Sequence, residues 1–189
     1  MLVTAEEVGR SLRGTAALLN RHPQALRLFD VSERGFWRSF GAIWLTAPAV
    51  VIALALERGP GTPLLRPDHT TLAVLAGTVA AFLVIPVTML GLARRLGLTK
   101  AYVPFVIVTN WTLALALAVL SLPGFLLVLG LATPGLATLY AAAFAVVVLH
   151  IHGVAVRATL GLPAPVALLV SLACGLLVAM VAAGAHAAA

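Results

Sequence analysis

Residues 101–149 read AYVPFVIVTNWTLALALAVLSLPGFLLVLGLATPGLATLYAAAFAVVVL and contain no Asp, Glu, Lys or Arg. As one helix, at about 1.5 Å per residue, this stretch would be about 74 Å long, more than twice the hydrocarbon core of a bilayer. It must therefore fold back on itself, and we expect it to hold two membrane crossings.

Three further windows lack charged residues, namely 39–56, 70–93 and 158–185. Each is long enough for one crossing of about 20 apolar residues, so the expected number of crossings is five. The chain is 62% hydrophobic and only 10% charged. No segment alternates polar and apolar residues as the strands of a membrane β-barrel do. The sequence therefore predicts an all-α, polytopic membrane helix bundle.

The basic residues indicate an orientation for this bundle. The first 38 residues and the second and fourth connections hold ten of the twelve Lys and Arg residues. By the positive-inside rule, the N-terminus is expected in the cytoplasm and the C-terminus outside, in a multi-pass protein of a cell inner membrane. The net charge of +6 is explained by these short connections, so we expect no nucleic-acid partner.

The chain divides into a cytoplasmic amphipathic helical segment, residues 1–35, and a five-helix transmembrane domain, residues 36–189. Residues 1–35 carry many charges and no apolar core, so no cleavable signal peptide is expected. Thr4 and Glu7 have the spacing of a capping box, which predicts a first helix from about 5 to 20. This helix could lie on the anionic inner surface or pack on the cytoplasmic ends of the bundle. Its expected apolar stripe consists of Val8, Leu12, Ala16 and Leu19.

Further expectations concern the course of the chain. The expected crossings are Phe36 to Leu56, Thr70 to Ala93, one from Ala101 onward, Leu136 to Ala155, and Pro165 to Gly184. Residues 123–135 contain several Pro and Gly residues and are expected to form an apolar linker, re-entrant or flat at the interface. Pro48 and Pro86 interrupt two crossings and should leave the carbonyls of Trp44 and Phe82 without their usual donors.

Small residues recur at every fourth position in three of the expected helices. The stripes are Ala73, Gly77 and Ala81; Ala137, Ala141 and Ala145; and Ser171, Gly175, Ala179 and Ala183. Small residues allow the backbones of membrane helices to approach closely, so these stripes predict faces of tight helix packing.

The sequence offers few residues that could catalyse a reaction or bind an ion. No crossing contains the charged residue that ion-coupled transporters usually place at membrane depth, and no catalytic or phosphate-binding motif occurs. The sequence therefore predicts a protein that is not an enzyme and has no catalytic residues, cofactor or metal. An enzyme acting on lipid head groups would need a cluster drawn from seven residues: Asp30, Glu33, Arg38, Arg94, Arg95, His150 and His152.

A candidate polar site within the membrane consists of Asn110, Trp111, His150 and His152. Asn110 is expected close to mid-membrane, where its amide either bonds another helix or contacts a substrate. The two histidines lie about 200° apart around a helix, so they cannot chelate one metal together.

Several short segments carry a resemblance to known proteins. They are Phe29–Asp30–Val31–Ser32, Gly35–Phe36–Trp37–Arg38–Ser39–Phe40, Tyr102–Val103–Pro104–Phe105 with Asn110–Trp111, and Arg157–Ala158–Thr159–Leu160–Gly161. The chain resembles small uncharacterised inner-membrane proteins of α-proteobacteria, which are distantly similar to the Yip/Yif-type five-helix membrane proteins. The resemblance implies five helices and a cytoplasmic N-terminus, and it carries over no functional residue.

Two functions follow from these patterns. The first is a non-enzymatic membrane protein that acts through the lipid bilayer and through a membrane-protein partner or homo-oligomer, in a scaffold, assembly or membrane-organising role. The alternative is a small transporter or channel subunit for a neutral or hydrophobic solute, with its path near Asn110, Pro48 and Pro86. A water-filled cavity that reaches Asn110 would favour the alternative, and a dry bundle would favour the first.

Overall fold

The computed structural model describes residues 3–59 and 61–187, with the backbone alone at residue 186. This part of the chain is helical and contains no β-strand. The helices are α1 (Ala5–Leu19), α2 (Glu33–Ser39), α3 (Ala47–Arg58), α4 (His69–Arg95), α5 (Thr99–Val128), α6 (Pro134–Leu160) and α7 (Ala164–Ala187). Two 3₁₀ segments accompany them, Ala25–Leu28 before α2 and Phe40–Thr46 between α2 and α3.

Five helices in the described residues are long and apolar enough to cross a membrane. The first is the continuous run Glu33–Arg58, formed by α2, the 3₁₀ segment and α3, and the others are α4, α5, α6 and α7. The prediction of an all-α bundle with five long apolar helices is confirmed. The observed helices extend past the expected ends, because flanking charged and polar residues continue the helical hydrogen bonding.

Polar side chains cap the helix starts. Thr4, Ser32, Asp68 and Thr133 each accept a hydrogen bond from a backbone N–H three residues later. These bonds satisfy donors that have no partner within the helix. Hydrogen bonding by the N–H of Thr71 is the largest cause of the lowered pKa of Asp68.

The first long helix differs from the expectation at Pro48. Pro48 lies in the first turn of α3, and the preceding segment is a 3₁₀ helix. There, the N–H of Ala47 donates to the carbonyl of Trp44, so the prediction that this carbonyl lacks a donor is wrong. A proline in the first turn removes no helical hydrogen bond, because that N–H would have no partner. Pro86, in contrast, lies inside α4 as expected.

The prediction of a linker over 123–135 is also wrong for its first half. Helix α5 continues through Pro123 and Gly124 to Val128, and residues 129–133 alone connect it to α6. A side chain at Gly124 would place its Cβ 2.7 Å from Leu56 Cδ1, so this glycine permits close approach of α5 to α3. Helix continuation keeps the backbone hydrogen-bonded where lipid offers no partner.

Helix α5 is the centre of the bundle. It packs against α2, α3, α4 and α6, while α7 packs against α4 and α6. Helices α4, α5, α6 and α7 therefore form a ring in which α5 and α7 are diagonal. The core around α5 includes the buried side chains of Phe82, Phe105 and Trp111.

One of the three small-residue stripes is a packing face. Ala73, Gly77 and Ala81 are buried, and a Cβ at Gly77 would lie 3.7 Å from Ala182 and Ala185 of α7. The other two stripes are wrong as packing faces, because each has only one buried member, Ala137 on α6 and Ser171 on α7. Spacing alone does not identify the face of a helix that meets a neighbour when alanine is common on all faces.

Helix α1 packs on the bundle against α5 and α6. Its start lies beside the first long helix, where any side chain at Gly41 would collide with Val3. Of the two alternatives for α1, the structure has the helix packed on the bundle, but the apolar stripe from Val8 to Leu19 is half-buried or exposed and does not form the packed face. The buried residues are Glu7, Ser11, Gly14, Thr15 and Leu18. On this face Glu7 pairs with Arg38 of the first long helix, Thr15 Oγ1 donates to the carbonyl of Ser11 within α1, and Gly14 lies against the ring of Phe29.

At the opposite end of the bundle, Arg58 organises the loop between α3 and α4. Its guanidinium donates to the carbonyls of Pro63 and Leu64, both at 2.5 Å, and pairs with Asp68. Residues 61–63 of this loop are exposed, and Pro60 lies outside the described residues. Arg58 thus closes this loop by donating to its backbone carbonyls.

Candidate functional site

Asn110 is fully buried on α5 and bonds to the first long helix. Its Nδ2 donates to Ser39 Oγ at 2.9 Å, and Ser39 Oγ donates to the carbonyl of Phe36 at 2.7 Å. The amide oxygen of Asn110 and the hydroxyl of Thr109 are buried, and neither has a partner in the described residues. The carboxamide thus faces another helix, as a polar group within a bundle is expected to do.

Asn110 lies closer to the start of α5 than to its end. It is about 17 Å from the start of α5 and about 27 Å from its end at 1.5 Å per residue. Its partner Ser39 is adjacent in sequence to the charged residue Arg38. The expected position of Asn110 close to mid-membrane stays a prediction.

A charged cluster ties α1 to the first long helix at the same end. Arg38 forms an ion pair with Glu7, and the two side chains are only 12% and 6% exposed. Hydrogen bonds from Ser32 lower the pKa of Asp30, and the charges of Arg10 and Arg38 act in the same direction. Positive and negative groups compensate each other here, so the cluster holds two segments together and leaves no unbalanced site for a charged ligand.

Trp111 belongs to the apolar core. Its side chain is 2% exposed and packs in a cluster with Ala42, Phe82 and Ala114. The structure therefore gives Trp111 a packing role beside Asn110, and it does not place the indole in either of the two clefts described next.

The two histidines of α6 line different clefts. We call the first the apolar cleft. It lies inside the ring of α4, α5, α6 and α7, has a volume of about 560 Å³, and is lined by residues including Leu113, Ala116, Leu149, His152, Ser171, Leu172, Cys174 and Leu176. The second, the basic groove, has a volume of about 740 Å³ and is lined by residues including Leu18, Arg21, His22, Leu149, His150, Val154, Arg157 and Leu168. Two residues of separation place His150 and His152 on different faces of α6, so they do not converge on one ligand.

The apolar cleft opens sideways between α6 and α7. Val146 on α6 and Leu176 on α7 line it and are 67% and 64% exposed. Both ring nitrogens of His152 are buried and have no hydrogen-bond partner in the described residues. The cleft therefore offers a largely apolar surface to a long apolar molecule or transmembrane segment.

The basic groove lies at the end of the bundle where α1 packs. Its wall combines the end of α1, the end of α6 and the start of α7. Neither the groove nor the apolar cleft has an Asp or Glu among its lining residues. The seven residues that a head-group enzyme would need are thus not gathered in either cleft.

The structure separates the residues of the candidate polar site. Asn110 lines neither cleft, His150 faces the basic groove, and His152 faces the apolar cleft. The sequence did not predict three residues that the structure adds: Arg21 in the basic groove, Ser39 as the partner of Asn110, and Cys174 in the apolar cleft. Arg21 could have been noticed as one of several arginines near the N-terminus. Nothing in the sequence indicates that Ser39 bonds to Asn110, which lies 71 residues away in the chain.

Comparison with known proteins yields no match, whether with protein-family models, with curated proteins or with solved structures. The resemblance to the Yip/Yif-type proteins therefore stays a prediction. The function must be argued from the residues themselves.

Proposed function

We propose that this chain is a non-enzymatic membrane protein that acts by binding other membrane components, with the apolar cleft as its binding surface. The observation that carries the proposal is the sideways opening of this cleft between α6 and α7. A cleft that opens toward lipid suits a partner that is itself in the membrane, such as a transmembrane helix of another protein.

The burial of Asn110 speaks against the alternative of a solute path at that residue. Its side chain is fully buried, and it lines neither the apolar cleft nor the basic groove. Helix α5 packs against α1, α2, α3, α4 and α6, so a solute would have to separate packed helices to reach the amide. A binding protein requires no such path.

The proposal predicts specific cross-links from the cleft. Leu172 lines the cleft and is 42% exposed, whereas Leu83 on α4 is 47% exposed and does not line it. We expect p-benzoylphenylalanine in place of Leu172 to give a discrete cross-linked protein band in native membranes on illumination. The same replacement at Leu83 is the matched control and should label bulk lipid. Identical products from both positions would contradict the proposal.

We further propose that the N-terminus and the basic end of the bundle lie in the cytoplasm of a cell with an inner membrane. The support is the concentration of Lys and Arg at this end. In a Cys174→Ser background, Leu65→Cys should react with a membrane-impermeant maleimide in intact cells without an outer barrier. Leu96→Cys should react only after the membrane is opened. These leucines are 76% and 60% exposed at opposite ends of the bundle, and the reverse pattern would invert the orientation.

A further inference from the structure

The basic groove carries positive charge that nothing in its wall balances. Arg21 and Arg157 are exposed at the groove, and the histidines His22 and His150 line it with them. No carboxylate lines the groove, and neither arginine has an ion pair in the described part of the chain. The charged cluster around Arg38 differs, because acidic side chains compensate its arginine. The basic groove is therefore suited to an anion.

Arg21 occupies a backbone conformation that favours glycine. Its φ is 54°, and it is the one residue other than glycine with a positive φ in the described ranges. The N–H of His22 donates to the carbonyl of Ala17, which closes the end of α1 in a motif that normally places glycine at this position. An arginine held there at a conformational cost presents its guanidinium at the mouth of the groove.

The rest of the groove is apolar and follows the long helices. Leu149 on α6 and Leu168 on α7 line it, and Leu168 is 46% exposed. Leu149 lies eight residues before Arg157, or about 12 Å along the helix. A molecule in the groove would thus meet cationic groups at one end and hydrocarbon side chains farther along the bundle.

We propose that the basic groove binds an anionic phospholipid. The phosphate lies between Arg21 and Arg157, and the acyl chains lie along Leu149 and Leu168. Guanidinium groups are well suited to phosphate because they donate several hydrogen bonds in a fixed plane. This inference rests on the proposed function and names a lipid class. It concerns the basic groove, which shares Leu149 with the apolar cleft and otherwise has different lining residues.

Lipid fits the groove better than a soluble phosphate or an acidic peptide does. A soluble phosphate would use the cationic end and leave the apolar surface of Leu149 and Leu168 uncovered. An acidic peptide would need polar partners for its backbone, which these leucines do not supply. A phospholipid matches both ends of the groove. Its phosphate corresponds to the cationic end, and its hydrocarbon chains correspond to the leucines farther along.

The inference predicts a head-group-specific effect of lipid on the full-length protein. The purified protein in mild detergent is titrated with dioctanoyl phosphatidylglycerol, and its melting temperature is followed. We expect saturable stabilisation, with the midpoint concentration raised about fivefold by Arg157→Gln or Arg21→Gly, as expected for the loss of one basic residue near a lipid surface. The control Arg27→Gln removes an exposed arginine that does not line the groove, and it should leave the midpoint unchanged.

Arg21→Gly separates lipid binding from stability. Glycine accepts a positive φ without strain, so the variant should melt no lower than the wild type when lipid is absent. Its weaker response to lipid would then report the lost guanidinium. An unchanged midpoint in Arg21→Gly would overturn the proposed site.

Two further titrations test the chemical class of the ligand. Dioctanoyl phosphatidylcholine supplies the same chains without net charge, and glycerol 3-phosphate supplies the anion without chains. Equal stabilisation by phosphatidylcholine would overturn the role of the charge, and equal stabilisation by glycerol 3-phosphate would overturn the assignment to lipid. Cross-linking from position 172 is measured separately, so failure of the groove and failure of the proposed function are distinguishable.

Discussion

Arg38→Met is expected to lower the free energy of unfolding by about 3–5 kcal/mol, the usual cost of removing one partner from a buried ion pair. The variant leaves the carboxylate of Glu7 buried under α1 without its guanidinium. Thermal unfolding of the purified protein in one detergent measures the effect. Because Glu7 belongs to α1, we also expect the segment before residue 30 to become more sensitive to protease.

The matched control is Arg34→Gln. Arg34 is exposed on the same helix, one turn before Arg38, and substitution there should change stability by no more than about 0.5 kcal/mol. The double variant Glu7→Leu with Arg38→Met should recover most of the loss, because two apolar side chains leave no buried charge. If Arg38→Met melts like Arg34→Gln, the ion pair does not hold α1 on the bundle.

Asn110→Asp is expected to be the second strongly destabilising substitution. The amide is fully buried and donates to Ser39 Oγ, which in turn donates to Phe36. A carboxylate cannot donate to Ser39 and would draw its hydroxyl hydrogen away from the carbonyl of Phe36. Burial of the uncompensated charge should cost more than loss of the bond itself. The melting temperature of the purified variant, compared with that of wild type, checks this result.

Asn110→Leu isolates the hydrogen bond from the charge. It should cost at most about 2 kcal/mol, the upper end for one polar contact between membrane helices. A cycle with Ser39→Ala measures the coupling, which we expect at about 0.6–1.7 kcal/mol. An unchanged melting curve for Asn110→Leu would count against a packing role and return Asn110 to the alternative of a solute path.

The sequence predicted the helices well because each helix depends on residues that are close together in the sequence. An apolar window long enough for a bilayer indicates each long helix, and Ser32 caps the first of them as its position before Glu33 suggests. The missing donor expected at Pro48 was wrong, because a 3₁₀ segment gives the carbonyl of Trp44 the N–H of Ala47. Sequence alone does not reveal such a change of helix type.

The candidate site was harder to predict because it depends on contacts between residues that are far apart in the sequence. The depth of Asn110 depends on where α5 begins and on which residue of the first long helix lies beside it. Glu7 is buried on the packed face of α1 because it pairs with Arg38, and sequence spacing does not reveal this contact. Gly124, which the sequence indicates as a helix breaker, packs against Leu56 inside a continuous helix.

The 3₁₀ segment Phe40–Thr46 also changes how well the first long helix matches the thickness of a bilayer. The uncharged window 39–56 would measure about 27 Å as a pure α-helix, short of a hydrocarbon core of about 30 Å. A 3₁₀ helix rises about 2.0 Å per residue, so these seven residues add about 3.5 Å. The stretched segment removes the hydrophobic mismatch without an added residue, and the helix can stand at little tilt while its charged ends stay outside the hydrocarbon.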